Sequence, residues 1–192
     1  PILEECNRRG TLVFVHPATP VGMDLLKINI PSFVLEFVND TTRCITNMLM
    51  NDVPRRFPRI RFLFSHAGGN IPFLAPRLAL LDLFANPDNT LTIPEARAKA
   101  LAGIRNFYYD TALSAVDSVF STLKDTVGLD RVVFGSDAPQ APESFVAATA
   151  QGLRESKVLS NEEKYAIAQG TGQRLLPRLF PDVKTDLAGP LI

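Results

Sequence analysis

The stretch Arg61–Gly69, RFLFSHAGG, runs an apolar strand into a histidine and then into a glycine pair. Phe62, Leu63, Phe64 and Ser65 read as a strand buried on both faces, because no polar residue alternates with the apolar ones. The glycines make the turn after it, and they also let another group approach the backbone closely. The chain has only two histidines, and the second stands in the same setting. In TLVFVHPATP, Thr11–Pro20, an apolar run again ends in a histidine, His16.

Two more runs have this character. Asn106–Tyr109 leads to Asp110, and Arg131–Gly135 leads through VVFGSDAP to Asp137. Between the runs lie segments of helical periodicity. Ser32–Val53 places Val34, Phe37, Val38, Ile45, Met48 and Leu49 at helical spacing, and Pro54 is expected to stop it. Phe73–Phe84 ends at Asn86-Pro87, Ala96–Leu101 reads as a short extra turn, Val116–Val127 ends at Gly128, and Glu143–Arg154 follows the fourth strand. In LSNEEKYAIAQGTGQRLL, Ser160 with Glu163 forms a capping box.

Alternation of strand and helix predicts an α/β fold with about four parallel strands. An open doubly wound sheet and half of a (β/α)₈ barrel both fit the pattern. Neither G-x-G-x-x-G nor a Walker A sequence is present, which favours the barrel. The chain of 192 residues is read as one domain with a mobile tail over 182–192.

Twenty basic residues balance twenty acidic ones, so nothing in the charge points to nucleic acid or to an anionic membrane. No apolar run approaches the ~18 residues of a membrane span. Cys6 and Cys44 have neither metal spacing nor a disulfide framework, and they suggest a reducing, cytoplasmic setting. The start, PILEECNRRG, has no signal-peptide character and reads as the interior of a helix, so a longer parent protein is expected.

His16, His66, Asp110 and Asp137 each follow a strand. In parallel α/β folds the C-terminal strand ends share one face, and that face carries the chemistry. Imidazole and carboxylate are common ligands for zinc and other first-row metals. Each residue also has a plainer reading. A histidine after a strand is more often a turn or wall residue, Asp110 could cap the following helix, Asp137 could cap a helix, and Gly68-Gly69 could serve a tight turn alone.

VFVHP, RFLFSHAGGNIPFLAPR, FYYDTAL and VVFGSDAP, in this order and spacing, resemble the second half of the amidohydrolase-2 family. That family includes aminocarboxymuconate-semialdehyde, γ-resorcylate and fungal 6-methylsalicylate decarboxylases, and the last group is the most similar. The resemblance runs from about Thr11 to Phe180 and implies the C-terminal half of a metal-dependent (β/α)₈ barrel. It implies a nonoxidative decarboxylase of a small aromatic, hydroxybenzoate-like acid. His16 and Asp137 would bind a divalent metal, with zinc first and manganese second. Asp137 would also deliver a proton, and must be protonated at that moment. His66 would act on substrate or metal-bound water. Arg77, eleven residues after His66, would reach a substrate carboxylate across a homodimer interface; otherwise it is a surface ion-pair residue. The family's H-x-H pair, which supplies two further ligands, has no counterpart here, so weak or absent metal binding is expected of the chain alone. Metal-dependent hydrolysis of a lactone, ester or amide, and an inactive half barrel, are the competing expectations.

Overall fold

The computed structural model describes residues 1–26, 29–85 and 90–181. The expected mobile tail, 182–192, lies outside the described residues. Four strands form one sheet in the order β1 (Leu12–Val15), β2 (Arg61–Phe64), β3 (Tyr108–Asp110) and β4 (Val132–Val133), and every pairing is parallel. The order never reverses. A doubly wound sheet requires a reversal, so this sheet is wound in one direction, as in the wall of a (β/α)₈ barrel. Right-handed crossovers then place the connecting helices on one face.

That face holds the main core. Phe62, Phe64, Tyr109 and Val132 project into it from the strands, and Phe107 meets Phe62 and Phe64 edge-on with centroids 6.1 and 5.2 Å away. They meet Ile45 of α2 (Ser32–Met50), Ile71, Ala75 and Leu78 of α4 (Ile71–Ala85), and Ile104 of α5 (Ile93–Ile104). Side chains alternate across a strand, so the opposite face carries Leu12, Phe14, Leu63, Tyr108, Asp110 and Val133. A smaller cluster of Leu12, Leu63, Tyr108, Val133 and Leu175 occupies that face.

β3 and β4 are buried on both faces as expected, whereas β1 is not. It pairs only with β2, and Phe14 is 55% exposed on the inner face.

Helix α1 (Ile2–Arg9) precedes β1 and ends at Gly10, whose φ of 62° suits a left-handed cap. α2 ends at Met50, and Pro54 opens a new turn, α3 (Val53–Arg56), instead of stopping the old one. At the first turn of a helix the missing proline N–H has no partner to lose. The extra turn expected at Ala96–Leu101 is the full helix α5, begun by a capping box between Thr92 and Glu95 with Pro94 in its first turn. Helices α6 (Asp117–Thr126) and α7 (Glu143–Glu155) match their expected places. The Ser160–Glu163 capping box starts α8 (Asn161–Tyr165), a π-turn over Ala166–Gly170 comes next, and α9 (Thr171–Leu175) completes the order. No helix among the described residues is long and apolar enough to cross a membrane.

Candidate metal centre

Three of the four strand-end residues converge. One donor atom from each of His16, His66 and Asp137 lies within 4.8 Å of the others. His16 Nε2 stands 3.2 Å from Asp137 Oδ1, and His66 Nε2 stands 3.8 Å from the same oxygen. The two imidazole rings meet edge to face with centroids 5.0 Å apart.

His16 leaves the end of β1 at the rim, with its side chain 33% exposed. Its Nδ1 lies 2.8 Å from the Pro17 carbonyl oxygen. A carbonyl only accepts, so Nδ1 carries a proton, and in the neutral ring the lone pair is then at Nε2. That lone pair faces a carboxylate oxygen. Two acceptors at 3.2 Å repel unless a positive charge lies between them, either a proton or a metal ion. Phe14 and Phe37 flank the His16 ring, with centroids 6.2 and 6.0 Å away.

His66 forms the floor, 4% exposed. Neither of its buried ring nitrogens has a hydrogen-bond partner among the described residues. Burial pulls its pKa below the ordinary histidine range, Asp137 opposes this, and His16 adds to it. The ring is therefore neutral near neutral pH, with a lone pair to offer. The backbone that carries it is unusual. His66, Ala67, Gly68 and Gly69 have φ of 54°, 56°, 75° and 65°, a left-handed run that costs energy at the two non-glycine positions. Both glycines are required by space as well. A Cβ on Gly68 would lie 2.5 Å from the Tyr109 ring, and one on Gly69 would lie 2.2 Å from the Val38 carbonyl oxygen. The turn reading of Gly68-Gly69 therefore holds, and the turn delivers His66.

Asp137 follows β4 with φ 64°. Its main-chain carbonyl accepts from Ala141 N–H, while its side chain faces the histidines and is no helix cap. Asp110 does not join the cluster. Its Oδ1 accepts the main-chain N–H of Ala112 at 2.9 Å and that of His66 at 2.8 Å; it caps no helix, since α6 begins after Val116 with no side-chain cap. The second bond joins residues far apart in the sequence, and strand-end counting could not have found it. Arg77 lies exposed on α4 and makes no ion pair among the described residues, so the surface ion-pair reading finds no partner.

The donor chemistry fits a divalent first-row metal. Two imidazole nitrogens with free lone pairs and a carboxylate oxygen suit zinc or manganese. The hydrogen bond from His16 Nδ1 to Pro17 is the outer contact that usually orients a ligating histidine. A cation held at His66 Nε2 would give a partner to one of its two unpaired ring nitrogens.

Comparison with known proteins agrees with this geometry. A 6-methylsalicylic acid decarboxylase of Penicillium expansum is 30% identical over 179 residues, which cover 93% of this chain and 54% of that protein. The decarboxylase yanB of Aspergillus niger is 31% identical over 187 residues, covering 93% and 49% respectively. The chain thus spans about half the length of the curated relatives it matches. Among solved structures, a dihydroxybenzoic acid decarboxylase from Polaromonas sp. JS666, crystallised with manganese and 2-nitroresorcinol, superposes with a TM-score of 0.74. Its sequence is 16% identical, and the match covers 98% of this chain and 55% of that one. The model of the amidohydrolase-2 family (described as Amidohydrolase) matches residues 1–178, and the chain belongs to that family.

Proposed function

We propose that this chain forms the C-terminal half of the active centre of a metal-dependent, nonoxidative decarboxylase. Its substrate would be a small aromatic acid with a hydroxyl beside the carboxylate. The reading is carried by the meeting of His16, His66 and Asp137 at one edge of the sheet, with an imidazole nitrogen of His16 3.2 Å from an Asp137 carboxylate oxygen. The relatives' decarboxylase names support the reaction. A divalent cation in this site would bind the substrate's carboxylate and hydroxyl oxygens and offset charge as the carbon–carbon bond breaks.

The chain's own residues divide the work. His16, at the rim, and Asp137 hold the cation. Neutral His66 either completes the ligand set or hydrogen-bonds the substrate carboxylate. Phe14 and Phe37 provide apolar ring surface beside His16. Protonated Asp137 delivers its proton to the ring carbon that bears the carboxylate. That carbon–carbon bond breaks, its electron pair restores the aromatic ring, carbon dioxide leaves, and Asp137 recovers a proton from water. Manganese fits as the ion on the Polaromonas precedent, and zinc fits the donor types equally.

A homodimer is part of the proposal. On α4, Phe73 (80% exposed), Arg77, Leu80 and Phe84 (80%) fall four, three and four residues apart, on one face. Such an apolar stripe suits a subunit contact, with Arg77 in its middle and free to meet a partner's substrate. Free Cys6 and Cys44 suit a cytoplasmic setting.

The test is carbon dioxide release from 6-methylsalicylate or 2,6-dihydroxybenzoate with manganese or zinc, in the protein completed by a family N-terminal half with its H-x-H strand. His16→Ala, His66→Ala and Asp137→Asn should each lower turnover at least a hundredfold. Metal binding with lactone or ester cleavage instead would replace the lyase by the hydrolase. A folded, metal-free, inactive barrel would leave the strand-end residues structural.

A further inference from the structure

We infer that the dipeptide Asp110-Thr111 positions the site, with one side chain fixing the His66 turn and the next fixing the Asp137 loop. The inference rests on the reading of His16, His66 and Asp137 as the working group. Neither dipeptide residue belongs to the cluster of donors. Both are buried, Asp110 at 5% and Thr111 at 1% exposure.

On one side, Asp110 Oδ1 accepts the main-chain N–H of His66 at 2.8 Å and that of Ala112 at 2.9 Å. The first of these is the N–H that opens the left-handed run. A buried carboxylate oxygen is a strong acceptor for such a group. It holds a conformation that histidine and alanine would otherwise leave. On the other side, Thr111 Oγ1 donates to the Gly135 carbonyl and accepts the Gly135 N–H, each at 3.2 Å. Both peptide groups of Gly135, two residues before Asp137, are thus held by one hydroxyl.

The two grips interlock. A Cβ on Gly135 would fall 2.8 Å from Cβ, Cγ and Oδ2 of Asp110, so the β4 loop lies directly on the carboxylate that holds the β2 turn. The ends of β2, β3 and β4 are therefore joined through two adjacent residues. The 3.8 Å separation of His66 Nε2 and Asp137 Oδ1 results from that junction. The role calls for oxygen acceptors of the right shape, so Asn should replace Asp110 and Ser should replace Thr111.

The two histidines of the chain permit a direct test. Their ring protons give resolvable signals, and rings with centroids 5.0 Å apart should show a nuclear Overhauser contact. The contact, the imidazole nitrogen shifts and Mn²⁺ affinity by electron paramagnetic resonance would be measured for Asp110→Ala, Asp110→Asn, Thr111→Val and Thr111→Ser. Each variant would be measured where circular dichroism shows it folded. Asp110→Ala should lose the contact, and Thr111→Val should shift both imidazoles. Each should weaken Mn²⁺ binding at least tenfold, and Asn and Ser should recover most of the loss. If Asp110→Ala does not fold, the Thr111→Val and Thr111→Ser pair decides by the same shifts. Unchanged contact, shifts and affinity in the folded Ala and Val variants, or equal loss in Asn and Ala, would overturn the inference. Where the wild-type chain binds Mn²⁺ too weakly to measure, the ring contact and shifts decide, because they report the junction without a metal.

Discussion

Gly69→Ala should cripple the turn that delivers His66, by an amount set by three local costs. Gly69 has φ 65° and ψ −128°, a region nearly closed to residues with a Cβ, and forcing alanine into it costs about 1–3 kcal/mol. The new methyl would lie 2.2 Å from the Val38 carbonyl oxygen and 2.8 Å from Thr42 Oγ1. The first obstacle is helix backbone, so the turn must move away from α2, a strain of about 1–3 kcal/mol. That movement breaks the bond from Asn70 N–H to Thr42 Oγ1, now 2.9 Å, worth about 1 kcal/mol. Together the loss is about 3–7 kcal/mol, a large part of the ~5–15 kcal/mol that holds a typical domain together. Urea unfolding is the assay. With a slope of about 1–3 kcal/mol per molar, the midpoint should fall by at least about 1 M. A change below about 1 kcal/mol would refute the reasoning, since it would mean that the turn tolerates a Cβ and imposes no geometry on His66.

Burial pushes the Asp110 carboxyl up to about 6 from 3.8, against the pull of the Ala112 and His66 N–H groups. The folded metal-free chain therefore binds this proton more tightly than the unfolded one. The resulting stability is full below about pH 4 and is lost as pH rises through 6, about 3 kcal/mol in all. Relative to wild type, metal-free Asp110→Asn should gain stability between about pH 4 and about pH 7.5, measured as the difference in urea midpoints; parallel profiles would refute it. Alanine at His16, His66 or Asp137 should each lower Mn²⁺ affinity at least tenfold by electron paramagnetic resonance, and an unchanged affinity would remove that residue from the ligand set. Phe73→Glu with Phe84→Glu should shift the assembled enzyme from dimer to monomer in analytical ultracentrifugation, while Ala98→Glu, on the exposed side of α5, should not.

Much of this arrangement was legible in the chain. Strands of a parallel sheet are covered on both faces, so Phe62–Phe64 and Val132–Val133 stand out as apolar runs, and the residues just past each run must lie on one edge. That rule alone brings His16, His66 and Asp137 together. The Thr92–Glu95 capping box carried its signal, T-x-x-E with a proline inside, yet the helix it starts is longer than its apolar residues suggest. Pro54 misleads because a proline can either end a helix or begin one, and here it begins α3 after α2 has already ended at Met50. Asp110 shows the firmer limit. Its local bond to Ala112 comes from turn chemistry, whereas its bond to the His66 N–H exists only because β2 and β3 lie side by side.

The unreversed strand order also bears on how the molecule is made. Each new strand pairs with the one completed just before it, so order of synthesis and order of assembly coincide. A chain leaving the ribosome can lay β2 on β1 and β3 on β2 without waiting for a distant partner. Asp137 arrives last, 121 residues after His16. At about 5–20 residues per second that is a delay of roughly 6–24 s. Over the first 50 residues of that interval the nascent chain holds His16 alone, and after them both imidazoles without Asp137, so on the proposed metal reading tight capture waits for the fourth strand. On that reading, loading of the site and completion of the sheet would be one event.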